Sequence, residues 1–309
     1  MGSPVKPAND ERALATPMET RPLGRTGLRV SRLGYGCSGI WGMRYFSERD
    51  AVRLVHQAAE LGITLFDTGA FYCGGEAERR LGVALRELKG GDVIVSTKTG
   101  THIGVGGRLY KDFSETSILN DVDVSLRRLG REALDILHLH GPDEQQIRFS
   151  LETLLRLKET GKIRAIGVCG AGAPLTYAAS TGGVDVLMGA YNVLERGHES
   201  LMKQARAAGL GVLAIAPLAQ GLYRRNFFAP KSIPDLWYIA RAVYRNRNQL
   251  KRARAAQALH DIDGWSAPEA ALAFTLANPA VDCAVSTSTR SAHLAMNAAA
   301  AKRSLSPDV

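Results

Sequence analysis

The 309-residue sequence predicts an α/β protein, a (β/α)8 TIM barrel with a short N-terminal β-hairpin and a long basic insertion after strand seven. Short β-rich runs alternate with stretches of helical period, as βα units do. Eight such runs fit in about the length of one barrel. Three consecutive runs end on ionisable groups, Asp67, Lys98 and His140, where a barrel collects its working residues. A doubly wound sheet is the competing arrangement.

The first run, "RLGYGC" (32–37), leads to "SERDAVRLVHQAAELG" (47–62). There Ser47 and Asp50 resemble a capping box, Val52, Val55 and Ala59 share a face, and Gly62 ends the helix. "ITLFDT" (63–68) is followed by "EAERRLGVALREL" (76–88), and "DVIVSTK" (92–98) by "SILNDVDVSLRRLG" (117–130). "LDILHLH" (134–140) is followed by "SLETLLRLKETG" (150–161). "IRAIGV" (163–168) and "DVLMGAY" (185–191) are the fifth and sixth strands, with "ESLMKQARAAG" (199–209) after them. "GVLAIAP" (211–217), the helix "APEAALAFTLAN" (267–278) and "DCAVSTS" (282–288) complete the set. Residues 1–19 read as a disordered leader, 20–302 as a single barrel domain and 303–309 as a flexible tail. The connection 220–264 is far longer than the others, and long connections in compact domains are functional or disordered.

Apolar content of 45% and charged content of 22% are those of a globular protein, and no apolar run approaches the roughly 18 residues of a membrane helix. Cys37, Cys73, Cys169 and Cys283 lie far apart without a CxxC pair, which argues against zinc and disulfides and fits a reducing cytoplasm. A net charge of +9 raises a nucleic-acid role, but from Arg224 to Arg254 nine basic residues meet one acid, Asp235. That local excess accounts for nearly all of the net charge, and suits a local anion or a solvated helix face.

Asp67 ends its run, and Tyr72 follows five residues later. A phenol, with a reference pKa of about 10, is a poor acid or base at neutral pH. A neighbouring ammonium at Lys98 would favour the phenolate, Asp67 would keep that ammonium ionised, and a neutral imidazole at His140 could orient a carbonyl oxygen. The group reads as a proton-transfer device. Singly, Asp67 could be a cap, Lys98 a salt bridge and Tyr72 packing. His138 shares the strand face of His140 but lies farther from the mouth.

"FDTGAFYCGGEAERRLGVAL", "VSTKTG", "SLRRLGREALDILHLHGPD", "KIRAIGVCGAG", "APLAQGL" and "TRSAHLAMN" together resemble the aldo-keto reductase family, from about Arg21 to Ala300. The resemblance implies a catalytic tetrad of Asp67, Tyr72, Lys98 and His140, with Tyr72 as the general acid/base. It implies an extended NADPH, with NADH as the alternative, and a small carbonyl or alcohol substrate; the aromatics suit a sugar-like face and the basic insertion an anionic group. By position, the cofactor-binding set is Gly36, Cys37, Asp67, Cys169, Gly170, Met188, Ile215, Ala216, Pro217, Leu218, Gln220, Gly221 and Leu222, then Thr287, Ser288, Thr289, Arg290, His293 and Asn297. Trp41, Phe71, Tyr72 and His140 are the expected substrate contacts, although Trp41 also suits rim packing.

The pattern departs from the family at the nicotinamide end. Cys169-Gly170 stand where Ser-Asn is usual, Met188 where Gln is usual, and Ile215 where an aromatic residue often stacks. Each lost hydrogen bond would cost about 1 kcal/mol. Two further functions are therefore weighed: the same tetrad serving a non-redox elimination, hydrolysis or isomerisation, and a cofactor-binding regulatory subunit. Neither nucleic acid nor membrane is expected as a partner, and no metal is expected.

Overall fold

The computed structural model describes residues 17–88, 92–223, 236, 239–240, 243–244 and 255–305. Most of the expected leader, most of the basic segment from Arg224 to Arg254, and residues 306–309 lie outside the described residues. Strands β1 (Thr20–Pro22) and β2 (Arg29–Ser31) form an antiparallel hairpin. The barrel strands are β3 (Leu33–Gly36), β4 (Leu65–Asp67), β5 (Ile94–Thr99), β8 (Leu134–His140), β9 (Ile163–Cys169), β10 (Val186–Ala190), β11 (Gly211–Ile215) and β12 (Cys283–Ser286). They close in that order, all pairs parallel, with β12 against β3 through Ala284↔Leu33, Val285↔Gly34 and Ser286↔Tyr35.

The helices are α1 (Glu48–Glu60), α2 (Glu76–Glu87), α3 (Glu115–Leu129), α4 (Glu144–Glu159), α5 (Ala173–Ser180), α6 (Glu199–Ala207), α7 (Ala267–Ala277) and α8 (Ser291–Ala301). At α1 only half of the expected box forms: the Asp50 N–H donates to Ser47 Oγ, while the Asp50 carboxylate takes Arg53 instead. Full boxes stand at Asp143/Gln146 and Ser266/Glu269. Inside the barrel, Leu65, Ile94, Ile136, Ala165, Val186, Leu213 and Cys283 pack with Leu23, Leu28 and Val30, so the hairpin stoppers one end. The opposite end, where the parallel strands finish, is left to the loops.

Several elements differ from the sequence reading. Residues 17–19 are packed rather than loose: Met18 is buried, and Glu19 pairs with Arg21 and Arg32. Arg303 of the expected tail lies 3.7 Å from the Trp265 ring centroid and donates to the Gly264 carbonyl. The stretch after Lys98 is not a plain loop but a second hairpin, β6 (Thr101–Ile103) with β7 (Leu109–Lys111). Helix α5 has a weak apolar stripe and was not resolved by periodicity. Gly34, Gly36 and Gly39 have dinucleotide-fingerprint spacing, yet they stand in a barrel strand and a 3-10 turn. A Cβ on Gly36 would lie 2.4 Å from Thr287 Oγ1, so glycine there serves β3–β12 contact. Where the long connection meets the described residues, Gln257 and His260 both bond the Tyr223 carbonyl.

Candidate active site

Asp67, Lys98 and His140 arrive together because β4, β5 and β8 are neighbours in the barrel and stop at one end. Lys98 Nζ donates to both Asp67 oxygens at 2.7 Å and to the Thr68 carbonyl at 2.5 Å. Ser96, one turn of the pleat earlier on β5, donates its hydroxyl to Asp67 Oδ1 at 2.8 Å. The ammonium is almost fully buried, yet its pKa is raised: burial opposes the charge, and Asp67, with Tyr72 and Cys169, outweighs it. Such a pair is tolerable inside because all of its donors have acceptors.

Tyr72 lies 5.0 Å, ring centroid to Nζ, from Lys98, and meets the His140 ring edge-on at 5.9 Å. Phe71 stacks on His140 at 5.2 Å and meets Tyr72 edge-on at 4.9 Å. The sequence reading expected Lys98 to favour the phenolate. The balance runs the other way, because burial pushes the Tyr72 phenol up to about 12 and the Lys98 charge offsets only part of that rise. His140 is held neutral, its pKa lowered to about 3 by burial and then by the Lys98 and Lys111 cations. Its Nδ1 is buried without a partner.

The two histidines of β8 separate by depth. His138 is fully buried, with neither ring nitrogen paired, and a Cβ on Gly167 would lie 2.1 Å from its Nδ1. His140 is only partly buried, at the strand end. Trp41, expected as a substrate contact or as rim packing, is 0% exposed and packs in the main core. Arg80 donates to its backbone carbonyl at 2.9 Å.

A network not foreseen from the sequence holds the Tyr72 loop. Three successive residues after Tyr72, Cys73, Gly74 and Gly75, have left-handed φ. A Cβ on Gly75 would lie 2.1 Å from the Arg128 guanidinium carbon. Arg128 donates to the Ala70 carbonyl at 3.1 Å and to fully buried Glu78 at 3.2 Å, and Glu78 accepts from Thr97, the neighbour of Lys98, at 2.7 Å. Only the pairing of α2 with α3 puts these side chains in reach, so spacing carries no signal for them.

Around the rest of the mouth, the exit of β11 is strained: Ala216 and Ala219 have φ of 56° and 43°, at a cost of order 1 kcal/mol each. Asn192, a buried residue also unforeseen, donates to the Ala216 carbonyl at 3.1 Å and accepts from Leu194 and Glu195, an Asx turn that its sequence context permitted. Pro217 is buried, Leu218 is half-buried, Gly221 takes a left-handed φ of 70°, and Leu222 packs into a cluster with Leu194 and Ala256. The Gln220 side chain lies outside the described residues. Cys169 and Met188 belong to the interior apolar cluster with Ile215 against it, and Gly170 has nothing within 4 Å of a Cβ position. Cys37 is fully buried, its N–H on the Asp67 carbonyl.

The residues expected at the adenosine end of the cofactor lie beyond β12. Helix α8 begins at Ser291 without a side-chain cap, leaving its first N–H groups available to an anion. Ser288 bonds both the carbonyl and the N–H of Arg290, and Arg290 and Thr287 are exposed. His293 is exposed on the first turn, Thr289 is half-buried, and Asn297 is buried with its Oδ1 unpaired. At the positions expected for the nicotinamide, Cys169, Met188 and Ile215 are apolar and Gly170 is open.

No helix among the described residues is long and apolar enough to cross a membrane, and no metal-binding group of three is found among them. All four cysteines are free. The model of the Aldo/keto reductase family matches residues 32–309. The chain is 34% identical over 280 residues to an L-galactose dehydrogenase of Arabidopsis thaliana, covering 85% of this chain and 82% of that protein. It is 34% identical over 224 residues to an NADH-specific methylglyoxal reductase of Escherichia coli (strain K12), covering 66% and 69%. Among solved structures, an aldo-keto reductase from Bacillus halodurans in its holo form superposes with a TM-score of 0.78 at 26% identity, over 94% of this chain and 93% of that one.

Proposed function

The chain belongs to the aldo/keto reductase family, and from that premise we propose that Tyr72 is the general acid/base of the reaction, with Lys98, Asp67 and His140 setting its environment. The protein is an NAD(P)H-dependent oxidoreductase acting on carbonyl and alcohol groups. The bound nicotinamide supplies hydride in reduction and accepts it in oxidation. A phenol with a pKa of about 12 is protonated at neutral pH, so Tyr72 enters reduction as a proton donor to the substrate oxygen. The phenolate left behind is favoured by the ammonium of Lys98, which Asp67 fixes through two hydrogen bonds. Neutral His140 offers a hydrogen bond to the same oxygen, and Phe71, stacked on it, keeps water from that flank.

The observation that carries this reading is the buried Lys98–Asp67 pair beside Tyr72. The relatives are named for L-galactose and methylglyoxal, which supports a small aldehyde or a sugar hemiacetal as substrate. NADPH is the preferred cofactor of this reading, because exposed Arg290 at the start of α8 suits a bidentate contact with a 2′-phosphate. NADH is the second reading, favoured by Thr287 in place of a cation and by the NADH-specific relative.

The test is titration of the purified protein with NADPH and NADH by fluorescence, followed by turnover on aldehydes, ketones and sugars. Tyr72→Phe should bind cofactor as tightly as the parent and lose about 100-fold or more in rate. A near-parental rate in that variant removes Tyr72 from the reaction. Tighter binding of NADH than NADPH reverses the cofactor assignment.

A further inference from the structure

The β6–β7 hairpin sets a second lysine at the mouth, apart from the one matched by Asp67. Lys111, the last residue of β7, donates from Nζ to Thr101 Oγ1 at 2.6 Å and to the backbone carbonyl of His140. A Cβ on Gly141 would lie 3.0 Å from this nitrogen, so the small residue after His140 leaves room for the ammonium. Its charge reaches the site, since it depresses the basicity of His140 and acts on the Cys169 thiol. Burial of part of the side chain lowers its own pKa, a sign that some of its hydration is removed.

Lys98 has a carboxylate partner; Lys111 pairs with none among the described residues. Both of its acceptors are neutral oxygens. An ammonium has three N–H donors, and two are used here. The side chain is exposed at the rim, beside His140 and Phe113. A tethered, partly desolvated cation with a spare donor and no acid is what an anionic ligand would complete.

We propose that Lys111 is a specificity-determining residue that binds the carboxylate of an acidic carbonyl substrate, such as an aldehyde acid or a sugar acid, while the carbonyl lies at Tyr72 and His140. This rests on the reading of Tyr72 and His140 as the reacting end. The Thr101 and His140 contacts hold the ammonium in register, so the carboxylate meets a fixed charge rather than a free side chain. A lysine that only fastened the hairpin to β8 would affect all substrates alike.

The experiment compares kcat/KM for 4-carboxybenzaldehyde with that for 4-carbamoylbenzaldehyde, a neutral probe of the same shape. The parent enzyme should favour the carboxylate by roughly five- to tenfold at low salt, and the ratio should shrink as salt screens the pair. Lys111→Met should bring the ratio near one, and Lys111→Arg should keep most of it. A parental ratio near one, a ratio insensitive to salt, or an unchanged ratio in Lys111→Met overturns the proposal. The salt series on the parent decides even if Lys111→Met does not fold. Turnover of neither aldehyde with cofactor bound strikes the Tyr72 reading and this proposal with it. Equal turnover of both strikes this proposal alone.

Discussion

At the end of the barrel closed by the hairpin, Asp135, Asp185 and Asp282 each accept the backbone N–H of a neighbouring strand, from Val95, Ile166 and Val212, at 2.8–2.9 Å. Each also has a cation: Arg131 and Arg164 on Asp135, Lys158 on Asp185 and Arg206 on Asp282. At the open end, Asp67 accepts from Ser96 and Lys98, but the groups around it keep unused capacity. Among the described residues His140 Nδ1 has no partner and Lys111 has no acid, while Tyr72 is half-buried and protonated. At one end each of these carboxylates has both a backbone N–H and a cation; at the other, groups beside the carboxylate are left open. Saturation fixes strands; open valence lets a substrate complete the site.

The largest expected effects separate the two ends. Tyr72→Phe should remove about 100-fold or more of the rate with little change in Tm. Asp135→Ala should do the reverse: loss of about 2–4 kcal/mol of stability, from an unpaired buried N–H and two guanidiniums, with kcat per folded molecule preserved. Thermal unfolding and active-site-normalised rates measure both. If Asp135→Ala alters kcat while folded, the division of labour between the ends is wrong.

A smaller effect is expected at Arg128, which braces the Tyr72 loop at the open end from α3. Arg128→Met would free the Ala70 carbonyl and leave Glu78 short of a cation, loosening the loop that carries Tyr72. A displacement near 1 Å there should lower kcat by roughly tenfold or more while cofactor affinity stays unchanged. Arg128→Lys should recover part of the loss. Equal losses in kcat and cofactor affinity would point to general unfolding instead.

The pH dependence should be the mildest signature. With Tyr72 near 12, reductive kcat/KM should stay flat through neutral pH and fall only under strongly alkaline conditions. Stability should behave differently. His138 and His140 resist protonation when folded, with His140 near 3, whereas unfolded histidines titrate near 6.5. Protons therefore bind preferentially to the unfolded chain between those values. The stability from these neutral histidines is full above about pH 6.5 and declines as pH falls toward about 3. Denaturation across that range in His138→Leu should show a shallower decline than in the parent.

Most of the barrel was legible because strand and helix periods are local properties of the chain. Asp67, Lys98 and His140 were legible for the same reason, since each ends a strand and strand ends meet at the mouth. The β6–β7 hairpin was not, because its strands are three residues each, separated by a glycine-rich turn and bearing exposed apolar side chains. The depth of Trp41 was not legible, because sequence shows that a residue follows a strand, not what the fold packs around it. Arg128, Glu78 and Asn192 gave no signal, as their partners lie far away in sequence or are backbone groups.

By itself the sequence determined the alternation that makes a barrel, the order of the four candidate residues along it, and the apolar character of Cys169, Met188 and Ile215. Tertiary structure alone decided the charge states and the depth. Whether Tyr72 is a better acid or a weaker one depends on how burial weighs against one ammonium. Whether His138 or His140 faces the mouth depends on where β8 stops. Both are set by desolvation and long-range fields, which depend on what the whole fold packs around a group and not on its neighbours along the chain.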